Sequence, residues 1–232
     1  MQRCGSTWRD TGNGRRSTDL GGRFITFEGG EGVGKSTQLR RAAAWLQERG
    51  VEVITTREPG GTPRAERLRV MLLERGEEPM PSSCELLLMF AARATHLANL
   101  VEPAVARGAW VLCDRFTDAT YAYQGGGRGM AERDIDALVA IVHAQRQPDL
   151  TVLLDAPVEI GMERAGRRNG SDGPDRFETE RRDFFERVRA AYLARAARFP
   201  QRFRVIDASG DVTAVGVAIR AALEPLIPGP GA

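Results

Sequence analysis

Apolar residues fall along this chain in short bursts of two kinds. Phe24-Ile25-Thr26-Phe27, Trp110-Val111-Leu112-Cys113 and Leu150-Thr151-Val152-Leu153-Leu154 are nearly uninterrupted and of strand length. Between such runs, apolar residues recur at intervals of three and four, the period of a helix with one buried face. The pattern predicts strands at 23–27, 51–55, 110–113, 150–154 and 203–206. It predicts helices over about 35–49, 64–74, 85–106, 135–145, 157–168, 178–198 and 212–226. Gly50 stops the first helix and Pro157 suits the opening turn of another, while Asn169 to Pro174 read as a loop. Strands alternating with helices predict an α/β domain, a parallel sheet of five strands flanked by helices.

Composition narrows the class. With 232 residues, 42% of them hydrophobic, the chain suits one domain or two small ones. A net charge of +2 does not mark a nucleic-acid binder. The longest apolar run, Leu86 to Ala92, is too short to cross a bilayer, so no membrane partner is expected. Cys4, Cys84 and Cys113 are odd in number and lack CxxC spacing, which fits a reduced cytoplasmic setting, with Cys113 in a buried strand. His96 and His143 lie far apart and read as surface or packing residues rather than metal ligands. Residues 1–22, rich in Gly and Arg without a central apolar stretch, read as a disordered extension and not a secretory signal. The folded domain is expected over 23–227, with a loose end at 228–232.

The chemistry begins at one residue. Of 33 basic side chains a single one is lysine, and it is Lys35, within Gly29-Gly30-Glu31-Gly32-Val33-Gly34-Lys35-Ser36. This matches the phosphate-binding loop GxxxxGK[ST]. It lies between a predicted strand and a predicted helix, so backbone N–H groups and the helix N-terminus face an anion. The fold expected is therefore a P-loop NTPase fold. Lys35 would bridge β- and γ-phosphates, and the Ser36 hydroxyl, with Thr37 behind it, would ligate Mg²⁺. Ligands on such sheets bind beyond the carboxyl ends of the strands, where Arg57-Glu58-Pro59-Gly60-Gly61 and Asp114-Arg115 also fall. A lone lysine already committed to the loop leaves no NKxD-type guanine motif. Arginines elsewhere suit phosphoryl transfer between two phosphorylated small molecules.

Thr56-Arg57-Glu58-Pro59-Gly60-Gly61-Thr62, Asp114-Arg115-Phe116 and Ala122-Tyr123-Gln124-Gly125-Gly126-Gly127-Arg128-Gly129 together resemble bacterial thymidylate kinase. The resemblance runs from about Phe24 to the final helix. It implies the reaction ATP + dTMP → ADP + dTDP, with Mg²⁺, in dTTP biosynthesis, carried out by a cytoplasmic homodimer that uses helix faces near 64–74, 85–106 and 135–142. It assigns Arg57 and Arg115 to the acceptor phosphate, and Asp114 to orienting that phosphate or a Mg²⁺-bound water. Glu31 would face the deoxyribose 3′-hydroxyl, Tyr123, beside Gln124, would crowd the 2′ position, and Thr120 and Arg93 would meet the thymine edge. Where the family often stacks an aromatic on thymine, this chain has Met89 with Phe90 beside it. Gly32 stands where one branch of the family carries a catalytic arginine. The resemblance to the other branch implies a lid over about 165–177, with Arg167 and Arg168 closing on the transferred group, Arg164 flanking adenine, and Arg176 nearby. Two alternatives stay open at this point: another nucleoside monophosphate or deoxynucleoside kinase, and a degenerate nucleotide-binding sensor.

Overall fold

The computed structural model describes residues 21–74, 78–168 and 180–227, the side chain of Arg168 excepted. The loop 169–174, Arg176, the loose end 228–232 and all but Gly21 and Gly22 of the extension lie outside these residues. Five strands, β1 (Arg23–Glu28), β2 (Val53–Arg57), β3 (Trp110–Asp114), β4 (Leu150–Asp155) and β5 (Phe203–Asp207), form one parallel sheet in the order β2-β3-β1-β4-β5. The expected fold is the observed one. Parallel register sets Phe27 and Arg57 on either side of Asp114, so three strands finish level at one edge.

Both sheet faces are covered, which explains the nearly continuous apolar runs. Ile25, Phe27 and Leu112 meet Leu39 and Leu46 of α1 (Lys35–Gln47) and Val215 and Ile219 of α9 (Val212–Leu223). On the other face, Phe24, Val111 and Cys113 pack with Leu97 and Val101. Phe184, Phe185 and Val188 of α8 (Arg182–Arg198) pack with Leu153 and Phe203.

Element boundaries depart from the sequence pattern where tertiary bonds decide them. The second strand begins at Val53, not residue 51, because Val51 N–H turns back to the Leu46 carbonyl at 3.2 Å after Gly50, whose φ is 78°. The expected helix 85–106 starts earlier, as α3 (Ser82–His96). It runs through a π-helical turn at Leu97–Val101 into α4 (Glu102–Ala106). By length and composition this 25-residue run suffices to cross a membrane, contrary to the short apolar stretch read from sequence. Yet Glu85, Arg93 and His96 on it are buried in bonds to Gln124, Glu58 and Thr56 from other elements, which marks a core helix. The sequence pattern also missed α5 (Thr117–Thr120) and the π-helical turn Tyr121–Gly127. A Cβ at Gly126 would lie 2.6 Å from the Ala191 Cβ, and one at Gly127 2.5 Å from the Phe184 ring. They are glycine so that this turn can pack against α8. The remaining helices are α2 (Pro63–Leu73), α6 (Glu132–His143) and α7 (Val158–Arg168).

Candidate active site

The loop between β1 and α1 ends on Gly34, whose φ is 92°, and α1 has no side-chain cap. Its first N–H groups are thus open to an anionic ligand, and the helix dipole favours one. Lys35 is buried, with Nζ donating to the carbonyls of Gly30 (2.6 Å) and Gly29 (3.2 Å). Burial, and then repulsion from Arg115, lower its pKa. Ser36 Oγ donates to Asp114 Oδ2 at 2.8 Å, joining the loop to the end of β3. Gly32 has φ 67°, and a Cβ there would lie 1.9 Å from the Gly161 carbonyl. The loop lies directly on α7, so no side chain, arginine included, fits at position 32.

Beyond the loop opens a cavity of about 400 Å³, lined by Lys35, Ser36, Arg57, Met89, Arg93 and Arg115 among others. Among the described residues Arg115 is the one non-glycine with positive φ, 71°. Such a conformation costs roughly 1–2 kcal/mol. Its guanidinium reaches Gly29 O (2.9 Å), Glu31 Oε1 (2.5 Å) and the hydroxyls of Tyr123 (2.9 Å) and Tyr192 (3.2 Å). Burial opposes its charge, but Tyr123 and Glu31 outweigh that and raise its pKa. Tyr123 OH also donates to Glu31 Oε1 at 2.9 Å, so the two residues assigned to the sugar stand together.

At the far wall Arg93 is buried, not a solvated helix charge. Nε donates to Glu58 Oε2 at 2.7 Å and Nη2 to Thr120 Oγ1 at 3.0 Å. Among the described residues Nη1 is buried without a hydrogen-bond partner. Glu58 in turn has His96 Nδ1 at 2.9 Å, and His96 Nε2 lies 2.8 Å from Thr56 Oγ1. Burial would raise the Glu58 carboxyl, yet Arg93 and His96 together hold it below its ordinary value. Gln124 lines the cavity and donates to Glu85 Oε1 at 2.8 Å. The helical phase separates the two candidates for stacking. Met89 lines the cavity, whereas Phe90 faces the core among Leu86, Tyr121 and Ile135, with the Arg93 guanidinium 4.8 Å above its ring.

A family model described as thymidylate kinase matches residues 27–219. The chain belongs to the thymidylate kinase family. It is 60% identical to a thymidylate kinase of Chromohalobacter salexigens over 87% of this chain and 95% of that one. It is 56% identical to that of Pseudomonas entomophila, over 88% and 96%. A crystal structure of thymidylate kinase from Ehrlichia chaffeensis superposes with a TM-score of 0.70 at 33% identity, covering 87% of this chain and 98% of that one.

Set in this thymidylate kinase framework, the remaining expected residues divide. Arg57 lines the cavity but is half-exposed and donates to Glu66 Oε2 at 2.9 Å. Arg164 turns to the carbonyls of Ala208 (2.8 Å) and Ser209 (2.9 Å) beyond β5. Arg167 is not brought to the cavity: it is exposed on α7 and donates to Glu163 at 2.5 Å, one helical turn away. The Arg168 side chain and Arg176 lie outside the described residues. Thr37 is exposed at the start of α1, and Val33 is buried beneath the loop. Sequence reasoning missed Glu28, Arg69, His96 and Tyr192. Of these, Arg69 lines the cavity and donates to the Pro59 carbonyl at 2.9 Å. A carboxylate ending an apolar strand, as Glu28 does, was the one visible signal.

Proposed function

We propose that the protein phosphorylates dTMP to dTDP with ATP, by direct in-line transfer inside this cavity. An oxygen of the dTMP phosphate attacks the γ-phosphorus, the bond to the β–γ bridging oxygen breaks, and ADP leaves. Family membership supports the reaction. The observation that carries the reading is the convergence of cations on one space: Lys35 and Arg115 donate to the same Gly29 carbonyl, and Arg57 lines the same cavity. Lys35 exchanges its loop carbonyls for donor phosphate oxygens. Arg115, with Arg57, aligns the acceptor phosphate and thereby removes the entropic cost of bringing two anions together. Arg93 Nη1, unpartnered among the described residues, is a donor that a carbonyl of the thymine edge would satisfy. Thr120 and Gln124 stand beside that edge, Met89 covers the base by dispersion, and Glu31 and Tyr123 meet the sugar. Arg168, joined by Arg167, closes from the lid over the transferred group, and Arg164 flanks the adenine.

Ser36 and Asp114 fit a Mg²⁺ site. A hydroxyl and a carboxylate already 2.8 Å apart offer hard oxygen donors at the phosphate loop. Among the described residues no cluster of three or more Asp, Glu, His or Cys forms a metal cage, which suits an ion that shares its ligands with substrate phosphates. Bound there, Mg²⁺ would supply charge neutralisation to the phosphates.

Measuring ADP release with dTMP, dUMP, dCMP, dAMP and dGMP tests the substrate. Turnover with dTMP, weaker turnover with dUMP and none with the others is expected, and a preference for any base except thymine or uracil overturns the reading. A homodimer is supported by exposed apolar side chains on three neighbouring helices: Val70 and Met71 on α2, Leu87 on α3 and Ile141 on α6. Light scattering on the purified protein checks it. A cytoplasmic location fits the free thiols of Cys84 and Cys113.

A further inference from the structure

We propose that Glu28 is a positioning residue for phosphoryl transfer, clamping Arg115 at both its backbone and its guanidinium. The inference rests on the reading that Arg115 aligns the acceptor phosphate. Glu28 ends β1, is completely buried and is not among the residues lining the cavity. A carboxyl there is desolvated and lies outside the cavity lining, so we argue its role from what it holds. Oε1 accepts from Phe116 N–H at 2.7 Å, and Oε2 accepts from Tyr192 OH at 2.8 Å.

Both partners lead to the same arginine. Phe116 follows Arg115, whose own N–H donates to the Phe27 carbonyl at 3.0 Å. Consecutive N–H groups at this positive-φ turn are therefore pinned to consecutive residues of β1. At the other end, Tyr192 OH accepts from Arg115 Nη1 at 3.2 Å, beside the Gly29 carbonyl. The path thus leaves Glu28, runs through α8 and the β3 turn, and meets itself at Arg115. Burial, with Asp118 adding to it and Arg115 opposing, pushes the Glu28 carboxyl up to about 8. Such a site favours an apolar residue on stability grounds alone, and a carboxyl there accords with a positional role.

Initial rates with dTMP and ATP varied separately test the clamp in Glu28→Gln, Tyr192→Phe, the double variant and Arg115→Lys. Glutamine keeps the size of the side chain, but its amide nitrogen cannot accept one of the two hydrogen bonds. Glu28→Gln is expected to lower kcat/KM for dTMP by roughly 10- to 100-fold, the scale of a misplaced reacting group, with the KM for ATP within about twofold. Tyr192→Phe shifts the same parameter less, and the double variant is no worse than Glu28→Gln because both cut one path. Tyr192→Phe retains the ring packing, so it decides the matter by itself should Glu28→Gln not fold. Losses that multiply in the double variant, or a loss confined to the fraction of active enzyme with both KM values unchanged, overturn the clamp. If Arg115→Lys is crippled while Glu28→Gln and Tyr192→Phe match the wild type, the clamp alone falls. If Arg115→Lys turns over normally, the reading of Arg115 falls with it.

Discussion

On the side proposed for the acceptor, Arg93 and Arg115 are largely buried, and each is held by a carboxylate and a hydroxyl. On the side proposed for the lid, Arg167 is 77% exposed and bonds Glu163 on its own helix, while Arg164 is turned to the loop after β5. The cations are the same chemically, but their fixation differs. A buried guanidinium must be oriented by partners, because leaving it unpaired in a dry site is costly. A solvated one is free to change partners at little cost. The acceptor phosphate would therefore meet a site already built. The groups that complete transfer would arrive with the lid, which suits an enzyme that must exclude water from a reactive phosphoryl group.

The comparison breaks first at Lys35. Lys35→Arg keeps the charge but not the compact ammonium that fits against the Gly29 and Gly30 carbonyls. A fall in kcat on the order of 10³ is expected from this loss of phosphate stabilisation, and near-normal turnover would show that any cation serves there. Glu58→Gln probes the built side. It leaves Arg93 buried without its carboxylate, so chemical denaturation should show a loss of roughly 3–5 kcal/mol, and the KM for dTMP should rise. An unchanged midpoint would mean that Arg93 is not anchored as described.

Glu28 sharpens the contrast through pH. Its carboxyl is raised in the folded chain, so in the unfolded chain it ionises above about 4.5, while the folded chain keeps the proton up to about 8. The stability from this group is fully present below 4.5, declines as pH rises toward 8, and is level beyond. Thermal melts of Glu28→Gln should lack that part of the decline, and parallel pH profiles would contradict it. The smallest effect belongs to the lid side. Arg167→Ala removes a solvated ion pair and should change folding stability by less than about 0.5 kcal/mol in the same melts.

Much of the donor side was legible in the sequence because it is local. Strand, glycine loop, lysine and helix are contiguous, and the strand ends follow from where apolar runs stop. The residues proposed for the acceptor side could be named from the sequence, but their wiring could not. Arg93 could be matched to the thymine edge but not to the carboxylate that holds it, because Glu58 is 35 residues away. Tyr192 and Glu28 are 164 residues apart, and nothing in either segment alone points to the other. Met89 and Phe90 could not be ranked from composition. They differ by one residue on a helix, about 100° of rotation, and which one faces the cavity depends on how α3 packs. The π-helical turn at Tyr121–Gly127 was not legible from its glycines, of which Gly126 and Gly127 serve close packing against α8.

The division between a built acceptor side and an arriving lid is tested most directly in Arg168→Ala, by titrating dTMP calorimetrically and measuring turnover on the same preparation. The expected result is a dTMP Kd within about twofold of the wild type and a kcat lower by on the order of 10³, as for an arginine that acts in the transition state. A weakened dTMP Kd with kcat preserved would contradict it, because Arg168 would then belong to the acceptor site and not to the lid.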